Sequence, residues 1–197
     1  MRNELLEFRK NAILGKIGQP LCDDFKAAWR RCGDDKESLV RLALMQQSQP
    51  YLSTACHENL GLSKQYILSN FGEYINGKKT FHDVDGVKGY TYRIYVGYGG
   101  RISDTPDVTG LMWCDGATID IEKSKCPVLY VSNGSDVPIV CSGYNSPKIY
   151  LFDDSSVTID ESDDTCDVIA YNYGNGTVST GKYCLKEPKV FNKQLKL

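Results

Sequence analysis

The sequence predicts an α+β chain: a small helical bundle over residues 1–79, then a short β-solenoid of about four coils over 80–197 with a C-terminal cap. Three observations carry this reading. Apolar residues keep a helical spacing up to about residue 75. From Thr80 the spacing changes to strand-like alternation, as in Tyr90-Thr-Tyr-Arg-Ile-Tyr-Val96. From Thr109 a twenty-residue rhythm then runs through the chain, with Val128-Leu-Tyr-Val131, Lys148-Ile-Tyr-Leu151 and Val168-Ile-Ala-Tyr171 in line. A β-sandwich is the alternative fold, but it does not require the same residue types to return at a fixed interval.

The helical elements follow from caps and breakers. Asn3 to about Gly15 carries Leu5, Leu6, Phe8 and Ile13 on one stripe. Pro20 breaks it, and Cys22-Asp23-Asp24 opens a second helix to Cys32 with Phe25, Ala28 and Trp29 on one face. Gly33-Asp34-Asp35 ends that helix and caps a third, lined by Leu39, Leu42, Ala43 and Met45. Ser63 caps a last helix whose inward residues are Tyr66, Ile67, Phe71 and Ile75, and Asn76-Gly77 marks a turn.

The solenoid elements follow from columns. At strict twenty-residue spacing one column reads Leu111, Val131, Leu151, Tyr171, Phe191, and its neighbour reads Leu129, Ile149, Ile169. A second strand gives Ala117, Val137, Val157, Thr177 and Ile119, Ile139, Ile159, Ser179. Turn-rich corners lie between them, and residues 90–103 read as an irregular first coil. Cys126, Ser146 and Cys166 fall in one column. Cysteines two rungs apart lie ~9.6 Å from each other, beyond disulfide reach, so both should be free thiols. The tail Lys186–Leu197 reads as the terminal cap, with Phe191 in a core column.

Composition bounds the function. The net charge of −2 gives no general reason to expect nucleic-acid binding. Charge is uneven, however: from 103 to 167 only Lys123, Lys125 and Lys148 offset a run of acidic residues. The start, Met1-Arg-Asn-Glu-Leu-Leu-Glu-Phe-Arg-Lys10, has no apolar core of a secretory signal, and no stretch has the length of a membrane span. The expectation is therefore a chain kept in the cytoplasm or packed into a particle, away from membranes.

No catalytic or metal signature stands out, and neither a cofactor nor a metal is expected. Cys56-His57 and His82-Asp83-Val-Asp85 read as packing and junction residues. Asp153, Asp154, Asp160 and Glu161 cluster at corners, where carboxylates could take Ca²⁺ or act as an acid–base pair on sugars; solvated corners are the reading adopted. Tyr130 and Tyr150 share an outward column, and with Tyr95 and Tyr98 they form the candidate binding surface, beside Tyr90 and Tyr92. Ser63, Lys64 and Gln65 open a helix within a segment, 55–75, that loosely follows a helix-turn-helix, although no basic cluster follows it.

The arrangement of Glu7-Phe-Arg-Lys-Asn-Ala-Ile13, then Ser63-Lys-Gln-Tyr-Ile-Leu-Ser-Asn-Phe-Gly-Glu-Tyr-Ile-Asn-Gly77, then a β repeat resembles small proteins of phages and mobile elements of gut Bacteroidota. The resemblance implies a virion component or an early protein that interferes with a host defence system, and it assigns no functional residue. The resulting expectation is a non-enzymatic protein-binding protein, in the host cytoplasm or in the virion. Its partner is a protein, and a homo-oligomer is compatible with the sequence. A carbohydrate-binding or carbohydrate-active solenoid and a DNA-binding regulator are the alternatives.

Overall fold

The chain folds as a β-solenoid of about five turns with a thin helical layer on one face. The computed structural model describes Glu4 and residues 23–44, 62–82, 89–122 and 125–193. Three helices lie in this part: α1 (Asp23–Arg31), α2 (Lys36–Ala43) and α3 (Lys64–Phe71). Twelve strands follow: β1 (Phe81–His82), β2 (Thr91–Val96), β3 (Arg101–Ile102), β4 (Val108–Met112), β5 (Thr118–Ile121), β6 (Val128–Ser132), β7 (Asp136–Cys141), β8 (Lys148–Leu151), β9 (Ser156–Ser162), β10 (Ile169–Asn172), β11 (Thr177–Cys184) and β12 (Lys189–Asn192).

The even-numbered strands and β1 form one sheet in the order β1-β2-β4-β6-β8-β10-β12, here sheet A; the other odd-numbered strands form sheet B, β11-β9-β7-β5-β3. Every pairing is parallel except β1 with β2. The chain thus adds one strand to each sheet per turn. The segment 90–103, expected to be irregular, supplies a proper first coil: Tyr92 pairs with Val108 and Arg101 with Thr118. It is shorter than the later coils, which is why a fixed twenty-residue search passes over it.

Two apolar cores result. The solenoid interior is filled by Leu111, Ala117, Ile119, Leu129, Val131, Val137, Ile139, Ile149, Leu151, Val157 and Ile159. The second core lies on the outer face of sheet A, where Trp29, Leu39, Val40, Leu44, Ile67, Phe71 and Ile75 pack on Tyr92, Ile94, Val96, Val108, Met112 and Tyr130. A parallel sheet buried on both faces is nearly continuous in apolar residues, and β4 is buried at every position. The described helices therefore share their core with the sheet. The first helix expected, at 3–15, lies outside the described residues apart from Glu4, as do Cys22, Met45, Cys56 and His57.

The expected caps are present. Asp35 accepts from the Ser38 N–H at 2.9 Å, and Ser63 accepts from the Tyr66 N–H at 3.2 Å. The Ser63 N–H in turn donates to Glu4 (2.6 Å). Asn76, at φ 58°, pins the helical layer to the solenoid: its own N–H donates to Ile94 O, and its side chain bonds both the N–H and the C=O of Val96. Gly110 makes room for α2. It occupies the column in which later coils carry Tyr130 and Tyr150, and Leu44 fills the space, its Cδ2 3.5 Å from where a Cβ would stand.

The columns expected beyond Ile159 are displaced by one residue. Ile139 faces Ile159, but Val140 faces Glu161, so Asp160 is the extra residue of a bulge. Because strand side chains alternate, a one-residue slip exchanges the two faces. Leu151 faces Asn172, Val157 faces Val178 and Ile159 faces Thr180. Tyr171 and Phe191 consequently stand outside the solenoid in register with Tyr150, while Ala170 turns inward. The tail also differs from expectation: β12 is an exposed edge strand along all four residues, and Phe191 is outside the core.

The slip breaks the cysteine column as well, since Ile169 N–H donates to Pro147 O and places Cys166 one position out of line with Ser146. Both cysteines are free as expected, Cys126 exposed and Cys166 buried; Cys32, Cys114, Cys141 and Cys184 are free too. Burial pushes the Cys141 thiol up to about 12. Iodoacetamide followed by peptide mapping should alkylate Cys126 readily and Cys141 only after unfolding. A Cys126–Cys166 disulfide in the digest would contradict the fold.

Candidate binding face

The outer face of sheet A carries a continuous stack of rings. Tyr130, Tyr150, Tyr171 and Phe191 occupy one column on successive rungs. Their centroids are 5.3, 5.1 and 5.5 Å apart, and the interplanar angles fall from 38° to 26° and 23°. Rung spacing in a parallel sheet is ~4.8 Å, so in-register aromatics are brought to stacking distance by the backbone itself. Tyr173 extends the stack sideways, 6.4 Å from Tyr150 at 9° and 5.7 Å from Phe152 at 13°. The Lys193 ammonium lies over Tyr171, 4.6 Å from its centroid, and reaches Tyr173 at 5.9 Å.

Exposure grades along the stack. Tyr130 is 5% exposed beneath the helical layer, Tyr150 and Tyr171 are half-buried, and Phe191 is 48% exposed. The exposure expected of Tyr130 is therefore absent, because the helices cover its coil. Tyr95 and Tyr98 do not join this face. Tyr95 points into the solenoid interior, and Tyr98 packs against the same core, 5.2 Å from the Tyr95 ring. Tyr92 is buried under the helices. Sequence reasoning missed Tyr171, Tyr173, Phe191 and Lys193 as members of this face. The signal was the Tyr130–Tyr150–Tyr171 succession, which a strict twenty-residue register hides.

The acidic corners are structural. Asp153 sits at φ 52°, in line with Asn133 (φ 59°) and Trp113 (φ 52°) on the preceding coils. Its Oδ2 accepts from the Asn133 N–H (2.7 Å), and its Oδ1 accepts from the N–H of Gly134 (3.1 Å) and the hydroxyl of Ser155 (2.8 Å). Ser155 Oγ accepts from the Ser135 N–H, and Ser135 Oγ accepts from the Cys114 N–H, so the corner is bonded across three coils. Gly174 completes the stack on the next coil, where a Cβ would collide with the Asp153 backbone.

Asp163 repeats the device at the opposite corner, accepting from the Gly143 N–H (2.6 Å) and from Thr165. The Thr165 hydroxyl, with the Gly143 N–H, holds its carboxyl below the usual value of 3.8. An ionised, fully engaged carboxylate is a poor general acid. Asp154 and Asp160 are exposed, and the Glu161 side chain lies outside the described residues. Among the described residues no three His, Cys, Asp or Glu are placed to hold a metal ion. His82 ends a described strand, while Asp83 and Asp85 lie outside the described residues.

The segment read as a helix-turn-helix is described only from Leu62. There Ser63 is the cap, Lys64 lies against Gly97, and Gln65 donates to Ser69 Oγ (3.1 Å). An apolar cavity of about 40 Å³ between the helices and sheet A is lined by Trp29, Val40, Phe71, Ile94 and Met112 with no polar group to orient a ligand. No helix among the described residues is long and apolar enough to cross a membrane.

The chain is thus a β-solenoid protein with an aromatic outer face. No family model, curated protein or solved structure matches it.

Two predictions follow from the corners. Asp153→Ala leaves the N–H groups of Asn133 and Gly134 unmet and should lower unfolding free energy by about 1–3 kcal/mol in urea titrations. The Asp163 carboxyl is held lower in the folded chain than in the unfolded one. Its stabilisation is therefore complete above the ordinary pKa of 3.8 and fades as pH falls through the lower folded value. Asp163→Asn should flatten the acid limb of a stability-against-pH curve; an unchanged limb would exclude this role.

Proposed function

We propose that the chain is a non-enzymatic protein-binding protein that engages its partner through the uncovered end of the aromatic stack. One observation supports this reading above others: the ring column continues from buried Tyr130 through half-buried Tyr150 and Tyr171 to Phe191, which is 48% exposed. Rings already fixed by their neighbours lose little freedom when a partner arrives. Tyrosines are also frequent anchors of protein interfaces. Exposed Asp136, Asp154 and Asp160 on and beside sheet B favour a partner bearing basic residues.

In the phage or mobile-element setting that the sequence resemblance implies, the partner is a host defence complex or a neighbouring virion protein, in the host cytoplasm or the particle. A carbohydrate ligand is the second reading, favoured by the near-parallel Tyr150, Tyr173 and Phe152 rings that could stack on a sugar. That reading rests on the rings, since the Asp153 carboxylate is taken up by corner hydrogen bonds.

The test is affinity capture from the native host with the full chain, compared with a Tyr171→Ala/Phe191→Ala variant. A protein held by the wild type should be lost by the variant, with Kd raised at least about tenfold. Tyr144→Ala, at a ring 70% exposed away from the stack, should change nothing. A partner retained equally by all three would overturn the proposed surface, and glycan-array binding with the same sensitivity would favour the sugar reading.

A further inference from the structure

The sequence holds three Asn-Gly pairs, Asn76-Gly77, Asn133-Gly134 and Asn175-Gly176, and the structure treats them differently. An asparagine before a glycine is open to attack on its side-chain carbon, Cγ, by the glycine nitrogen, because no side chain on the glycine stands in the way. The attack is intramolecular, so its rate depends on whether the fold lets the two atoms meet. Two conditions follow. The carboxamide must be able to turn, and the glycine N–H must not be held by an acceptor, because the nitrogen attacks only after losing its proton.

The first two pairs fail these conditions. Asn76 is clamped at both ends of its carboxamide: Nδ2 donates to Val96 O (3.2 Å), and Oδ1 accepts from the Val96 N–H (2.8 Å). At Asn133 the attacking nitrogen is tied, since Gly134 N–H donates to Asp153 Oδ1 (3.1 Å). Asn133 is also only 5% exposed, and its Oδ1 accepts from the Ser132 hydroxyl. Asp115-Gly116 would form the same ring from a carboxyl group, but Gly116 N–H donates to Asp136 O (3.3 Å).

Asn175 differs on each count. It is exposed, at the corner between β10 and β11, and β11 is the last strand of sheet B. Two bonds fix the corner on either side: Asn175 N–H donates to Asp153 O (2.7 Å), and Thr177 N–H donates to Ser155 O (3.2 Å). Between them, the Asn175 carboxamide, the Asn175 C=O and the Gly176 N–H have no hydrogen bond among the described residues. The peptide unit that must twist is therefore the one left unbonded. Packing also holds glycine in place, because a Cβ at Gly176 would collide with the Ser155 carbonyl oxygen. The corner thus excludes every side chain that would slow the attack.

We infer that Asn175 is a site of spontaneous deamidation in the folded chain. The Gly176 nitrogen bonds to Asn175 Cγ, the Cγ–Nδ2 bond breaks, and ammonia leaves carrying the proton that Gly176 gave up. Water then opens the cyclic imide. Opening at Cγ gives aspartate, and opening at the main-chain carbonyl gives isoaspartate. In sum one water enters and one ammonia leaves, with no oxidant or metal. Isoaspartate routes the main chain through Cγ and lengthens the corner by one carbon. Gly174 and Gly176 already lie against the Asp153 and Ser155 backbone, so the added carbon breaks the Thr177 bond to Ser155.

The test is to age the full chain at physiological temperature, digest it with pepsin and map the peptides by mass spectrometry. The Asn175 peptide should show the deamidation mass, with label incorporated when the chain ages in heavy-oxygen water. Its rate in the folded chain should lie within about tenfold of the rate in guanidinium, whereas Asn76 and Asn133 should convert at least about a hundredfold more slowly folded than unfolded. Alkaline buffer should speed the Asn175 reaction, since it removes the Gly176 proton. Asn175→Ser should abolish the early release of ammonia. Amide exchange at Thr177 should be faster in the isoaspartyl product, and unchanged exchange there would overturn the loss of its bond to Ser155. An Asn175 as resistant as Asn133 in the folded chain overturns the inference, as does an Asn133 that converts at the pace of Asn175.

Discussion

The parallel, in-register stacking of one coil on the next is the constraint on which the rest of the molecule depends. Each coil must offer its backbone groups to the coils before and after it, so anything that changes the length of a coil must be absorbed locally. The corners carry this load. A strand can end and reverse only if the N–H groups released at the corner find acceptors, and here they find the side chains of the following coil. Asp153 serves Asn133 and Gly134, and Asp163 serves Gly143. Both are followed two residues later by a hydroxyl residue, Ser155 or Thr165, that bonds the same carboxylate. Two Asp-Asp-Ser/Thr stretches that resemble a reactive acidic cluster are thus one corner device used twice.

The same stacking explains why the outer face of sheet A is divided. Sheet A carries apolar residues on both faces, unlike sheet B, whose strands alternate buried and solvent-facing positions. The interior face is covered by the sheet opposite. The described helices cover the outer face on the early coils, where Gly110 admits Leu44. From Tyr130 onward the column turns aromatic, and each ring covers part of its neighbour. Aromatic stacking therefore takes over from helix packing as the shield of the sheet, and Tyr130 belongs to both.

Much of this was legible in the sequence. The twenty-residue columns through Leu111, Val131 and Leu151, or Ile119, Ile139 and Ile159, are the real interior because a stacked core demands the same small set of shapes at each rung. The caps at Asp35 and Ser63 were legible for a local reason, since each bonds a backbone group three residues away. What was not legible was the bulge at Asp160. One inserted residue costs the fold little, yet it exchanges inside for outside over the whole remainder, so Tyr171 and Phe191 read as core. Nor could a column show that Tyr130 is covered, because the cover comes from residues distant in sequence. The candidate face was therefore half visible: its tyrosine column was clear, and its extent was hidden by one residue.

Stability alone accounts for the rings touching one another, but less well for where they lie uncovered. If shielding the sheet were the only demand, Val or Ile would serve on the late outer rungs, as they do inside, at a lower cost in exposed apolar area. Instead the late rungs carry Tyr171, Tyr173 and Phe191, with Lys193 lying across two of the rings. A cation over an aromatic face is a contact that a partner's own Lys or Arg can replace, because the ring presents the same negative face to either. Under the proposed function, the ring faces would take a partner's basic residues without a salt bridge. Such binding would ask for rings that are rigid yet incompletely covered, and exposure along the column rises from 5% at Tyr130 to 48% at Phe191.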